Sequence, residues 1–204
     1  MPTLFYFHDP MCSWCWAFRP VWRTIREELP ADIEIRQVLG GLAPDDTEPM
    51  PDELRKIIQH IWRTVQDVVP GTAFNFDFWD RCSPRRSTFP ACRAVIAARR
   101  VDPALEDPMI HAIQRAYYLE ARNPSENQTL IELAGELGID ESRFAEAILS
   151  PEIQAELQSD IELCQRHRVS GFPAMILQQG EQFRDIDVDY NDARNAVADI
   201  LSGV

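Results

Sequence analysis

His8-Asp9-Pro10-Met11-Cys12-Ser13-Trp14-Cys15-Trp16-Ala17-Phe18 (HDPMCSWCWAF) follows at once on the apolar run Leu4-Phe5-Tyr6-Phe7. How this stretch is read decides the fold. The run over Thr3 to His8 has the nearly continuous hydrophobicity of a central strand covered on both faces. Asp9-Pro10 ends it. From Ser13 onward, Phe18, Val21, Trp22, Ile25 and Leu29 recur at helical spacing, which predicts an amphipathic helix. Pro20 lies inside it and lacks the N–H that would bond the Trp16 carbonyl, so a kink is expected one turn after the second cysteine.

With Cys12 at the helix start, its sulfur would sit among unsatisfied backbone N–H groups at the positive end of the helix dipole, and both favour thiolate over thiol. Cys15, three residues on, would lie one turn away on the same face, in reach of a mixed disulfide on Cys12. The spacing thus supports both steps of thiol–disulfide exchange. Ser13-Trp14 contains no histidine to stabilise the thiolate. His8 could supply a charge from the preceding strand; the plainer reading of a histidine at a strand end is half-buried and hydrogen-bonded. Trp14 and Trp16 could form an apolar rim for an unfolded peptide or pack against neighbouring helices.

Zinc is the structural alternative for a CxxC, but a zinc site needs a second ligand pair, and the chain has no second CxxC and no HxxxH. No metal is therefore expected. Cys92 and Cys164 fall on apolar helix faces and read as small core residues. Cys82, in WDRCSPRRS, is the exception: Arg81, Arg85 and Arg86 could lower its pKa in an exposed loop and give it a second redox role.

Further along, Ile33 to Leu39 reads as a strand ending at Gly40-Gly41, completing a strand, helix, strand unit. The middle of the chain is helical. One amphipathic helix is marked by Leu54, Ile57, Ile58, Ile61, Trp62, Val65 and Val69, and others run over about 90–100, 107–121, 128–137 and 141–149. Phe74, Phe76 and Phe78 alternate as in a strand but have no partner nearby, and are expected in an apolar loop under the helices. Ser150-Pro151 starts another helix, with the hydroxyl as cap. Strands over 174–178 and 182–186 with a reversal near Gly180 predict an antiparallel hairpin, and a last helix carries Ala193, Val197, Ile200 and Leu201.

The 204 residues carry a formal charge of −13 and are 45% hydrophobic, a compact chain that would repel phosphate backbones; nucleic-acid binding is not expected. No apolar stretch approaches the roughly 20 residues that span a bilayer, and no basic segment precedes a cleavable apolar one, so neither an anchor nor a secretory signal is expected. Five cysteines with one close pair do not suggest a secreted disulfide scaffold. The expected compartment is the cytoplasm.

This order of elements, with CxxC at a helix start and Gly171-Phe172-Pro173 before a hairpin, resembles the DsbA-like branch of the thioredoxin superfamily. More narrowly, DPMCSWCWAFRP (9–20), TFPACRA (88–94) and VSGFPAMIL (169–177) are similar to its FrnE-type, signal-less members. The resemblance implies an α/β thioredoxin-like fold with a helical subdomain inserted between the N-terminal βαβ unit and the C-terminal β-hairpin plus helix. The corresponding division is a thioredoxin-like domain over 1–45 and 150–204, with the insertion over 46–149. It further implies that Cys12 is the attacking thiol, Cys15 the resolving thiol, and Pro173 a cis-proline facing them. Ser13, Trp14, Phe172 and Pro173 would then contact substrate, the Phe172 main chain pairing with an extended peptide.

The implied activity is protein thiol–disulfide oxidoreductase or isomerase. Its partners would be protein or small-molecule thiols and disulfides; it needs no cofactor beyond the redox-active disulfide, with glutathione a possible electron partner. The paired helices of the insertion could form a dimer surface. Two other readings stand beside it: a glutathione-dependent isomerase or transferase of the kappa type, which tends to carry serine where this chain has Cys12, and a peptide-binding, chaperone-like module using the aromatic rim. A carboxylate beneath the second cysteine, common in thioredoxin-type folds, finds no candidate inside the first strand, and Asp9 lies too near the motif to be assigned.

Overall fold

The computed structural model describes residues 1–202. The first strand, β1 (Thr3–His8), leads into helix α1 (Ser13–Glu28), and β2 (Glu34–Leu39) pairs in parallel with β1. The chain then leaves the sheet for α2 (Asp52–Val68), a single turn α3 (Phe78–Arg81), α4 (Phe89–Val101), a 3₁₀ turn at Pro103–Leu105, α5 (Glu106–Tyr118), α6 (Asn127–Glu136) and α7 (Glu141–Ala147). Helix α8 (Pro151–Arg166) brings it back. The hairpin β3 (Ala174–Gln179) and β4 (Gln182–Ile186) and helix α9 (Arg194–Ser202) complete the fold. The sheet order is β2-β1-β3-β4, with β3 antiparallel to β1 and Phe7 opposite Ala174.

Central placement explains why β1 is apolar throughout. Its alternate residues divide between the two faces of the sheet. Leu4 and Tyr6 join Phe18, Trp22 and Ile25 of α1 and Val197 and Ile200 of α9 on one side. Phe5 and Phe7 join Val38, Ile176 and, from α8, Leu163 and Cys164 on the other. Helix α1 runs through Pro20 from Ser13 to Glu28.

The inserted helices have a core of their own, in which Trp62 is fully buried among Phe74, Phe76, Phe78, Trp79, Tyr117 and Tyr118. Phe74 and Phe76 are the loop residues expected from their lack of a strand partner, whereas Phe78 opens the short α3. Ile57, on the apolar stripe predicted for α2, is 54% exposed, so the buried stripe is narrower than the spacing suggests. Leu39, Met11, Ile153 and Leu157 belong to the same cluster as the insertion, and α8, capped by Ser150 Oγ accepting from the Ile153 N–H, packs on both α4 and β2.

Candidate active site

Asp9 and Pro10 turn the chain off the end of β1, with the Cys12 N–H donating to the Asp9 carbonyl at 3.0 Å. Cys12 is thereby the N-cap of α1, in extended conformation with φ −83° and ψ 120°, and its carbonyl accepts the first helical bond, from the Trp16 N–H at 3.0 Å. Its side chain makes no capping bond. The sulfur faces the other half of the fold: Cys12 Sγ donates to the Phe172 carbonyl oxygen at 3.4 Å, across 160 residues. The Phe172–Pro173 peptide bond is cis, Pro173 is buried and Phe172 half-buried.

The two thiols are electrostatically unlike. Cys12 is pulled below the ordinary thiol value chiefly by a hydrogen bond from the Cys15 side chain, helped by the backbone N–H groups of Cys15 and Trp14 and opposed by burial and by Asp9. Cys15, 1% exposed, is pushed well above that value by burial first and then by its bond to Cys12 and the Cys12 charge. As a thiolate Cys12 accepts from Cys15; as a thiol it donates to Phe172. This asymmetry suits one activated nucleophile and one thiol held in reserve.

Beneath the pair, Asp9 is fully buried and collects four donors. Oδ1 accepts from the Met11 N–H at 2.8 Å, and Oδ2 from the Leu42 N–H at 2.8 Å, Thr88 Oγ1 at 2.7 Å and Cys92 Sγ at 3.6 Å. Burial raises its pKa and these bonds hold it down. Asp9 thus ties the motif turn to the loop after β2 and to the start of α4.

Of the remaining positions read from sequence, Ser13 is buried and Trp14 is half-buried, its ring centroid 5.2 Å from that of Tyr190. Trp16 packs against the insertion, with Nε1 donating to the Ala73 carbonyl at 3.0 Å and the ring stacked on Tyr118. A groove of about 730 Å³ opens beside these rings, walled by Trp16, Pro20, Val69 and Tyr190 with Arg19 and His111 on its edge. A second, of about 590 Å³, runs along His167 to Ala174 past Phe172 and Pro173.

Two expectations are corrected. Cys82 is raised, not lowered: burial and Glu126 outweigh Arg81, and Sγ bonds the Ala121 carbonyl at 3.0 Å while Arg85 is turned to the Ser125 carbonyl. His8 is neither half-buried nor a source of charge, because it is 1% exposed and desolvation lowers its pKa to about 3. Cys92 is buried as expected and lies against Asp9. Tyr190, Thr88 and the close packing of Gly40 on Phe172 carried no sequence signal of a role at the site; the Gly40-Gly41 pair read only as a strand break. Among the described residues, no group of three or more His, Cys, Asp or Glu side chains is placed to hold a metal ion, and no helix is long and apolar enough to cross a membrane.

Comparison with known proteins places this geometry. A solved structure from Nitrosomonas europaea, named as a candidate protein disulfide isomerase, superposes with a TM-score of 0.85 at 33% identity, covering 99% of this chain and 96% of that one. The cytosolic disulfide reductase DsbM of Pseudomonas aeruginosa matches with a TM-score of 0.81 at 28% identity over 98% of both chains, and its structure with GSH with a TM-score of 0.79. The ClpXP adapter protein SpxH of Halalkalibacterium halodurans is 22% identical over 177 residues, 85% of this chain but only 57% of that protein's length. The model of the DSBA-like thioredoxin domain matches residues 3–193, and the chain belongs to that family.

Proposed function

We propose that the protein is a thiol–disulfide oxidoreductase that exchanges disulfides with protein or small-molecule thiols through Cys12 as nucleophile and Cys15 as resolving thiol. The observation that carries this reading is the asymmetry of the pair. The Cys12 thiolate is favoured by the bond from the Cys15 side chain and by the backbone N–H groups of Cys15 and Trp14 at the helix start, and Cys15 is buried one turn away with its proton held. In the forward half-reaction the Cys12 thiolate attacks a substrate disulfide, one substrate thiol leaves, and Cys15 then displaces the other, leaving the Cys12–Cys15 disulfide and a reduced substrate. A reduced thiol of the glutathione class would return the pair to dithiol. That role is supported by the GSH-bound structure of the DsbM relative. Substrate main chain would lie along Phe172-Pro173, with Trp14 and Ser13 at the edge of the contact.

In a cytoplasm buffered by glutathione the favoured direction is reduction or isomerisation. The test is equilibration in glutathione redox buffers followed by alkylation and mass spectrometry. Cys12 and Cys15 should interconvert as one two-electron couple, with a midpoint near about −270 mV for a reductant or about −120 mV for an oxidant. A pair that never oxidises refutes the reading. Cys12→Ser should abolish turnover, and Cys15→Ser should trap a mixed disulfide.

The SpxH relationship supports one other reading, a protein-binding adapter that works without thiol chemistry. Under that reading, a Cys12→Ser, Cys15→Ser double variant would keep its activity. A kappa-type transferase is disfavoured by the thiol at position 12.

A further inference from the structure

A small polar cavity, of about 10 Å³, lies against Cys15, lined also by Tyr6, His8, Arg19, Trp22, Gln37 and Gln114. That is room for one water molecule. Two of its wall residues carry buried polar atoms, His8 Nε2 and Trp22 Nε1, that find no hydrogen-bond partner among the described residues. The two rings flank Tyr6, which stacks on Trp22 at 3.9 Å and on His8 at 5.0 Å between centroids, and these stacks fix the two ring planes. Two unpartnered buried nitrogens on residues that line one cavity of this size make a site for a bridging water, since leaving either unpaired costs about 1–3 kcal/mol.

We infer that this cavity holds a single water molecule oriented by His8 and Trp22 so that one of its hydrogens points at Cys15 Sγ, making both rings positioning residues for the resolving step. The inference rests on the proposed exchange chemistry. The water accepts from Trp22 Nε1–H and donates one hydrogen to His8 Nε2. Its other hydrogen is left for the sulfur. With the His8 ring in its Nδ1–H tautomer, Nε2 accepts; desolvation holds the ring neutral down to a pKa of about 3, so Nε2 gains no proton by titration in the working range. The charged and titratable groups that face His8 are Arg19 of α1, Arg99 of α4 and Asp107 of α5, with Tyr6 and Asp9 beside it on the chain and Cys15 across the cavity; Arg19 and Asp107 are themselves paired at 2.8 Å.

During resolution Cys15 loses its proton to solvent, its sulfur bonds to Cys12 Sγ, the bond from Cys12 to the substrate sulfur breaks, and the substrate thiolate leaves and takes up a proton. The net change is Cys12–S–S–R plus Cys15–SH to the Cys12–Cys15 disulfide plus R–SH. A hydrogen bond from the oriented water to the forming Cys15 thiolate supplies solvation that burial otherwise denies it.

The test combines a structure with kinetics. A crystal structure of the reduced protein at a resolution that shows waters should hold one water within hydrogen-bond distance of His8 Nε2 and Trp22 Nε1; a dry cavity overturns the inference. In a Cys12→Ala background, mass-spectrometric mapping of Cys15 alkylation against pH should give a midpoint about one unit higher for His8→Phe, a tenfold loss of thiolate. In the chain with both cysteines, oxidised glutathione should load Cys12, and resolution of that mixed disulfide should slow about tenfold in His8→Phe and Trp22→Phe, while His8→Gln, which keeps an acceptor, restores it. The Cys12 midpoint should not move. Trp22→Phe keeps the stack on Tyr6 and so carries the test should His8→Phe fail to fold. Unchanged Cys15 midpoints and resolution rates sink the water, whereas a parent protein whose pair never oxidises sinks the exchange reading instead.

Discussion

Cys12 Sγ and the Phe172 carbonyl oxygen lie 3.4 Å apart, joining the first helix to the segment just before β3. What holds Phe172 there is equally local. Its ring occupies the space over Gly40, where an added Cβ would fall 1.9 Å from Cζ. Gly40 itself is fixed by its N–H donating to the His8 carbonyl at 2.7 Å. Position 40 is glycine because a neighbouring ring fills the place of a side chain.

Gly40→Ala should therefore push the Phe172 ring outward and move its carbonyl away from Cys12. The expected result is a loss of roughly tenfold in the rate at which Cys12 forms a mixed disulfide, with a stability cost of about 1–3 kcal/mol. Stopped-flow mixing with a peptide disulfide and a urea melt measure the two effects. A rate equal to the parent's would show that the Phe172 position does not matter to attack.

The architecture was legible because its signals are local. The apolar run Leu4 to Phe7, the 3.6-residue spacing through Ile25 and the reversal at Gly180 each declare an element within a few residues, and all appear where expected. The surroundings of the cysteines were not. Asp9 meets Leu42, Thr88 and Cys92 at separations of 33, 79 and 83 residues, contacts that no periodicity encodes and that exist only after the insertion has docked. Cys82 misled for the same reason: the arginines beside it in sequence turn to other partners, and the carbonyl of Ala121 decides its chemistry.

In the reduced protein, alkylation followed against pH should show Cys12 reacting with a midpoint below the ordinary value of 9.0 and Cys15 remaining protected there. A depressed folded-state pKa contributes stability that is present above the unfolded value and lost as pH falls through the folded one. Raising the pH from the Cys12 midpoint toward 9.0 should thus stabilise the reduced form relative to the oxidised form, which lacks the titrating thiols. Cys15, raised by burial, opposes this only above the unfolded thiol value. Paired thermal melts of the two redox forms across that window check the sign.

Cys82 should be a spectator in redox chemistry. Its raised pKa and its bond to Ala121 predict slow alkylation at neutral pH and a Cys82→Ser variant whose midpoint and turnover match the parent, since a serine hydroxyl can donate to the same carbonyl. A changed midpoint, or a Cys82 disulfide found by mass spectrometry during turnover, would restore the second redox role.

Asp9 offers the sharpest separation of structure from electrostatics. Its charge raises the pKa of both Cys12 and Cys15, so it disfavours the reduced, thiolate-bearing form. Asp9→Asn removes that charge, which should lower the Cys12 alkylation midpoint and make the couple more oxidising, by roughly 30 mV for each tenfold gain in stability of the reduced form. The same substitution sets an amide donor against a backbone one: with Asn Oδ1 kept on the Met11 N–H, the Nδ2 group faces the Leu42 N–H, a clash of donors that should cost about 1–3 kcal/mol. Thr88→Val is the matching control. It deletes the 2.7 Å bond to Oδ2 yet leaves the carboxylate in place, so it should lose stability without moving the potential in the oxidising direction. If both variants moved the midpoint alike, packing of the motif turn rather than the Asp9 charge would set the potential of the pair.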